Sequence, residues 1–438
     1  MSTSAIPASP AGRDRRPLGV LLAANVVSIT GSMLTLVAVP WFVLDTTGSP
    51  ARAGLVAFAG TLPVVIAALL GGPLIDRLGF TLTSVVSDAV CAVATAAVPL
   101  LHMAGGLSYG WLLALVAVNG LFHAPGETAR EVLMPRLADR AGTTIQRASS
   151  AYEGASRGAR MLGAPLAGVL IAAIGAADVL LLDAVSFAVS ALLIGFGVHH
   201  GGRERAEGVS RRRPTFAGYR AELREGYAYL VAARLLFAVV LMVMVTNALD
   251  QAWSAVLLPV DARENLGGSV SVGVISGTFG AAALAGSLLY GVFGVGHRLP
   301  QRGLFIGAFI VCGFPRTAVA ALVPGLTPIV VTCAVCGLAA GVLNPIIGTE
   351  MVRLVPERLR SRVFGAVSSG VLVAVPMGGL LGGYLVQYAG LTAAMAAVSV
   401  TYLLTTLSPL VLPAFRRWET AAEPPARALR AEPAPADS

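Results

Sequence analysis

Twelve apolar stretches, each long enough to cross a bilayer, occupy most of this chain and leave few architectures open to it. A helical crossing needs roughly 20 mostly apolar residues. The predicted spans are 18–44, 53–75, 81–103, 107–127, 155–174, 179–198, 235–258, 270–293, 303–323, 328–348, 363–386 and 391–412. Only 12% of the residues are charged and the mean hydropathy is +0.78. Soluble domains carry about 25% charged residues, so lipid is the expected solvent. The fold class is all-α: a membrane protein of twelve helices. Pro63, Pro165 and Pro376 fall inside spans, where neighbouring helices satisfy the freed backbone groups.

Orientation follows from the basic residues. All 31 are Arg; there is no Lys. With the N-terminus inside, 26 fall on inner segments and two, Arg52 and Arg263, on outer loops. Arg157, Arg160 and Arg316 fall within spans. This asymmetry predicts both termini in the cytoplasm. Basic loops beside an anionic inner leaflet gain about 1 kcal/mol per residue. The net charge of +8 is thereby explained by lipid, with no nucleic-acid partner.

Segments 1–17 and 413–438 are rich in Pro, Ala, Ser and Arg and are expected to be disordered cytoplasmic tails. The first apolar stretch is too long for a signal-peptide h-region, so no cleavable signal is expected. Segment 199–234 reads as a cytoplasmic linker. Within it, Phe216, Tyr219, Leu223, Tyr227 and Leu230 recur at helical spacing, which predicts an amphipathic helix lying on the membrane over 215–234. The linker divides the chain into two six-helix halves, 18–198 and 235–412. Four Cys occur, all in predicted spans. Cys333 and Cys336 have redox or metal spacing, yet lie in an apolar stretch without His, which favours packing.

The halves echo one another. Gly54 and Gly72 bracket span two; Gly273 and Gly291 bracket span eight, each shifted by 219. Pro125 and Pro135 after span four match Pro345 and Pro356 after span ten. Pro165-Leu-Ala-Gly168 in span five matches Pro376-Met-Gly-Gly379 in span eleven, pairs suited to hinges or close packing. Parallel six-span repeats around a long central loop are a transporter plan.

The loop after span two reads Gly72-Pro-Leu-Ile-Asp76-Arg77-Leu-Gly79. It resembles the Gly-x-x-x-Asp-Arg-x-Gly signature of the major facilitator superfamily. Segments 47–56, 62–63, 125–135, 160–168 and 355–363 are most similar to the branch of enterobactin exporters and macrolide-efflux proteins. The resemblance implies alternating access around a central cavity lined by spans one, four and seven, and a monomer. For Gly72, Asp76, Arg77 and Gly79 it implies a conformational latch, with the acid near the start of span eleven. A carboxylate beside a helix N-terminus gains about 0.3–1 kcal/mol. The sequence departs from the pattern twice. Phe80 and Thr81 replace the expected basic pair, and the second copy, Gly291-Val-Phe-Gly-Val295, has lost its acid. Arg77 is then left to pair with Glu127 or Glu131. The plain alternative for Asp76 and Arg77 is the capping of a tight turn.

A charge at the bilayer centre costs roughly 2.5–3.5 kcal/mol on insertion scales. Each therefore requires a partner, a cavity or a task. Asn119, His123 and Glu127 of span four share one helix face. Histidine changes charge near neutral pH, so these three form either a proton-coupling stripe or a structural network with Arg157 or Arg160. Span seven carries Asn247, Asp250 and Gln251. An unpaired carboxylate there is the leading candidate for carrying a proton or sensing a cation; an inter-helix hydrogen bond is the alternative. Asn25, Ser28, Ser32 and Thr35 form a polar stripe that lines a water-filled path or bonds back to its own helix. Glu153 precedes Arg157 by one turn and is its expected partner. Arg160 meets either an anionic substrate or Glu127. Asp88, Asp183 and Arg316, on spans that the resemblance puts outside the cavity, are expected to pair structurally.

With no Lys at all, Walker-type ATP use is excluded, and neither a nucleophile elbow nor a metal motif occurs. No enzyme and no cofactor are expected; a proton gradient supplies the energy. Apolar cavities with few charges suit hydrophobic guests. The expected function is proton-coupled efflux of hydrophobic or amphipathic small molecules across a bacterial cytoplasmic membrane. A narrow siderophore exporter and an importer are the alternatives, with a non-transporting sensor as a remote third. An Asp76→Asn chain is expected to lose transport and change its inner-side accessibility; unaltered transport and accessibility in vesicles would leave only the turn cap.

Overall fold

The computed structural model describes residues 14–70, 78–198, 216–294 and 301–416. The described residues are helical throughout their regular structure and include no strand. The amino-terminal half comprises α1 (Arg16–Thr47), α2 (Pro50–Leu70), α3 (Phe80–Met103), α4 (Tyr109–Arg140), α5 (Ile145–Ile174) and α6 (Ala176–Gly197). The linker contributes α7 (Phe216–Ala232). The second half follows as α8 (Arg234–Glu264), α9 (Ser269–Leu289), α10 (Gln301–Leu322), α11 (Leu326–Leu354), α12 (Arg360–Ala389), α13 (Leu391–Val411) and the short α14 (Pro413–Arg416). Helix α8 is interrupted by one π turn, Trp253–Leu257, and α9 runs into another, Tyr290–Gly294.

Eleven of these helices are long and apolar enough to cross a membrane. Helix α4 is the expected span that is not among them; its second half carries the charged run 127–140. Large apolar side chains such as Phe196, Leu322 and Tyr388 stand about four-fifths exposed. A soluble protein does not display such a surface; a bilayer requires it.

Two boundaries around one inner loop differ most from the sequence expectation. Helix α4 continues to Arg140 instead of stopping at 127, with Pro125 and Pro135 inside it. Helix α5 begins at Ile145, ten residues before the predicted start. Arg130, assigned to an inner loop from sequence, therefore sits within a helix, completely buried. Residues 1–13 and 417–438 of the tails, the first part of the linker, and Gly72, Asp76 and Arg77 lie outside the described residues, whereas Pro413–Arg416, expected to be disordered, is helical because Phe415 packs into the second half's core. Gly79 is described; it holds a φ of 82° just before α3, in the left-handed region open to glycine.

The linker helix is docked as well as amphipathic. Tyr229 donates to the Leu354 carbonyl at 2.8 Å, the Tyr227 and Ser369 hydroxyls meet at 3.0 Å, and Glu225 pairs with Arg362. Leu230 is buried. It is thereby strapped to α11 and α12. The side chains of Phe216, Tyr219 and Leu223 lie outside the described residues.

The halves meet crosswise. Helix α2 packs on α12, and α5 packs on α9. Gly54 lies against Gly379 and Gly383 so closely that a side chain there would strike backbone. Gly168 lies in the same way against Ser269 and Gly273, and Pro165 rests on Gly273 and Gly277. Pro376 is buried within α12. The repeated Gly and Pro-x-x-Gly elements are therefore the two faces of one pseudo-symmetric interface.

The contact lies at one end of the molecule. A single apolar core joins Leu34–Leu44 of α1 and Val56 of α2 to Ala252–Leu258 of α8 and Val386 of α12. Ser49 donates to Gln387 at 2.8 Å, and Arg263 reaches the Leu44 carbonyl and Asp45 across the same seam. At the end bearing the termini the cores are separate. One belongs to the first half around Leu133 and Tyr152, and two to the second around Phe305 and Val363. Among the described residues, no apolar core joins the halves on that side.

The first half holds its shape around an ion pair. Arg130 Nη1 donates to both oxygens of Asp88 at 2.9 Å, and Nη2 donates to Ser28 at 3.2 Å. Ser190 of α6 donates to Asp88 at 2.6 Å. Four helices are thus tied to one buried salt bridge. Removing one partner strands a charge, at a cost of about 3–5 kcal/mol. Arg130→Met and Asp88→Leu are each expected to lower the thermal midpoint of the purified protein steeply. The double variant is expected to recover most of the loss; simple additivity of the two losses would show the pair to be uncoupled.

Candidate functional site

A cavity of about 210 Å³ lies beside the seam. Its wall is mostly apolar: Met33, Leu36, Val39, Val56, Val64, Val98, Leu115, Leu180 and Phe187 contribute. Polar groups are few, namely Ser32, Thr35, Thr61, Thr95, Asn119, His123 and Gln251. Most of the lining comes from the first half, and α8 closes one side with Gln251 and Ala255. Helices α3 and α6 also reach the cavity, contrary to the expectation that spans three and six stand outside it. The physical reason is local: α2 presents Ala57, Gly60 and Thr61, which are too short to fill the space in front of them.

The stripe on α4 divides between the cavity and an ion pair. Asn119 and His123 line the cavity, and Asn119 donates to Thr95 at 2.8 Å. The His123 ring stands edge-on to Phe187 with centroids 6.0 Å apart. Glu127, one turn further on, pairs with Arg160 of α5 and lies 3.9 Å from His123 Nε2. Arg160 therefore meets Glu127, and both remain partly exposed. Arg157 pairs with Glu153 at 3.5 Å on the exposed face of α5 and does not line the cavity.

Asp250 is not the unpaired acid that the sequence suggested. Arg316 of α10 pairs with it from behind, itself buried and lying over the rings of Trp253 and Phe279 at 5.7 and 5.5 Å. About two-fifths of the Asp250 side chain stays exposed. Gln251 beside it lines the cavity, and the π turn begins two residues later. Such turns insert an extra residue into a helix and often mark functional sites. Asn247, one turn before Asp250, is half-buried.

The stripe on α1 divides. Asn25 is fully buried, donating to Ser156 at 2.8 Å and accepting from Tyr152 at 3.0 Å, so it serves helix packing rather than the cavity. Ser28 is spent on Arg130, while Ser32 and Thr35 reach the cavity. The sequence reading missed Arg130, although it follows Glu127 by three residues and so extends the same polar face. All four cysteines are buried and free. No cluster of potential metal ligands occurs among the described residues.

These features define a two-halved helical transporter, and comparison with known proteins agrees. The Major Facilitator Superfamily model matches residues 21–252 and 240–436, one match to each half. The chain belongs to that family, as a multi-pass protein of the bacterial cell membrane. It is 32% identical over 416 residues to the multidrug efflux pump Tap of Mycolicibacterium fortuitum, covering 94% of this chain and 99% of that one. It is 31% identical over 411 residues to the multidrug efflux pump Tap of Mycobacterium tuberculosis, with coverage of 93% and 96%. Among solved structures, the nucleoside transporter NupG shares the fold with a TM-score of 0.70 at 14% identity, covering 90% of this chain and 98% of that one. A POT family transporter does so with a TM-score of 0.69 at 12% identity, over 93% and 97%.

Ala94 forms the buried back wall of the cavity on α3. Ala94→Leu projects three further carbons into it, an overpacking of ~1–3 kcal/mol for any guest that fills the space. That corresponds to roughly a tenfold to hundredfold rise in Kd. Equilibrium binding of a hydrophobic dye to the purified protein is the measurement, with an unchanged melting curve as the control for folding.

Proposed function

We propose that the protein is a multidrug efflux transporter that couples export of hydrophobic and amphipathic compounds to inward proton movement. The observation that carries this reading is the cavity: an apolar wall with a handful of hydrogen-bonding groups, beside the core that joins the two halves. Such a wall binds through area and shape, which suits many apolar guests and discriminates weakly among them. The two Tap relatives, similar along nearly their whole length, carry the same functional name. Arg160, the cation that an anionic siderophore would seek, is already held by Glu127, which favours a broad apolar range.

Helix α4 is the twelfth crossing in this reading. Its first half is apolar, and its most deeply placed charge, Arg130, is neutralised within the bundle by Asp88. With both termini in the cytoplasm, the core that joins the halves lies towards the outer side of the membrane. The protein works as a monomer. Glu127 with His123 and Asp250 with Arg316, each pair partly exposed, are able to exchange ion-pair partners as the seam moves.

The test is accumulation of a panel of hydrophobic dyes and antibiotics in an efflux-deficient bacterium expressing the chain. Expression is expected to lower accumulation of several unrelated compounds, and a protonophore is expected to restore it. Unchanged accumulation of every compound, with the protein present in the membrane, rules out a broad pump.

A further inference from the structure

One acid stands apart from the pairs that border the cavity. Asp183 of α6 is completely buried, yet no Arg or His forms a salt bridge with it among the described residues. Its oxygens are met by hydroxyls instead. Thr35 of α1 donates to Oδ2, and Ser186 donates to Oδ1 at 3.0 Å. Room for the carboxyl is made by Gly31, where any side chain would collide with Asp183 and Ser186. The site is therefore built to hold this group.

The surrounding charges do not neutralise it. Helix α3 brings Asp88 and Cys91 towards it, and Asp88 is already bound by Arg130 of α4. Helix α4 also brings His123, whose ring rests on Phe187 of α6 rather than on Asp183. Helix α1 offers the Thr35 hydroxyl. The charges of α5, on Glu153, Arg157 and Arg160, are paired and largely exposed. An ionised carboxylate in such a place bears a desolvation cost that two hydroxyl donors offset only in part.

Thr35 is also part of the cavity wall. A threonine hydroxyl owns one hydrogen. When that hydrogen points at an ionised Asp183, the oxygen lone pairs are left for the cavity. When Asp183 carries a proton and donates it to Thr35, the threonine hydrogen is free to point into the cavity. A guest bearing an N–H donor needs the first arrangement. A cationic guest also favours the negative form of Asp183 through space.

We propose that Asp183 binds the proton exchanged in each transport cycle, and that Thr35 makes its loading and the binding of a cationic amine mutually exclusive. The inference rests on the proton-coupled reading above. In the exchange step Asp183 passes its proton to Thr35 Oγ1 while Thr35 gives its own hydrogen, as a proton, to a water molecule in the cavity, which carries it away as hydronium. One O–H bond breaks and one forms on each side of the relay, with no change in oxidation state. The reverse step reloads Asp183 after the guest has left. Site and guest thus exchange one positive charge for another.

Ethidium, a cationic dye with aromatic amine donors, is the probe, used with the full-length protein in detergent and in proteoliposomes. For the wild type, binding in weak buffer is expected to release about one proton per ethidium, and affinity is expected to fall about tenfold per pH unit on the acid side. Asp183→Asn keeps the shape and hydroxyl contacts but cannot titrate. It is expected to bind without proton release, with affinity flat against pH, and to exchange ethidium without pH-driven accumulation. Should Asp183→Asn not fold, Thr35→Val is expected to give the same flat profile and Thr35→Ser to restore the slope. Wild-type proton release by Asp183→Asn or Thr35→Val overturns the inference. If release disappears instead in Asp250→Asn or Glu127→Gln, the proton-coupled reading stands and Asp183 is excluded. If the wild type itself releases no proton and ignores the pH gradient, the proton-coupled reading fails, and the role of Asp183 with it.

Discussion

The close approach of backbone to backbone between the halves is the contact on which the rest of the structure depends. In lipid, apolar side chains gain nothing by leaving one hydrocarbon neighbour for another, so helices associate through tight van der Waals packing and hydrogen bonds. Gly54 against Gly383, and Gly168 against Gly273, supply that packing at one end of the seam. Among the described residues, no comparable joint core lies at the other end. A joint made of many weak contacts separates without stranding a buried charge. That property suits a seam that must open and close in every cycle.

The charges follow a complementary logic. Arg130 and Asp88 lie inside one half, tied to Ser28 and Ser190, and move with that half as a unit. Glu127 with Arg160, and Asp250 with Arg316, keep one side open to their surroundings. A pair enclosed on all sides fixes helix positions, because separating it costs several kcal/mol. A pair with an open face is able to change partners. The same residue types therefore serve structure or the proposed transport according to whether the surrounding helices leave them a free side.

Much of the architecture is legible in the chain. The all-helical membrane architecture and the linker helix follow from apolar length and the central polar segment. The matched Gly54 and Gly273, and the matched Pro165-to-Gly168 and Pro376-to-Gly379, announce a repeat. Asn119, His123 and Glu127 declare a common face by their spacing, and two of them line the cavity. Helix ends were less legible. The charged run after Glu127 reads as loop, since sequence cannot show that a second helix brings an acid to meet Arg130.

By itself the sequence determined that this protein lives in lipid, that its helices come as two similar halves, and which helix faces are polar. These properties depend on hydropathy and on the period of a single helix, both local to the chain. The partner of each buried charge was decided only in three dimensions. Asp250 acquired Arg316, Asn25 acquired Ser156 and Tyr152, and Asp183 acquired the hydroxyls of Thr35 and Ser186. The crosswise use of the repeat was decided there too, with α2 against α12 and α5 against α9. Whether a polar group in a membrane is satisfied depends on distances of about 3 Å between helices far apart in the chain, and no one-dimensional pattern contains those distances.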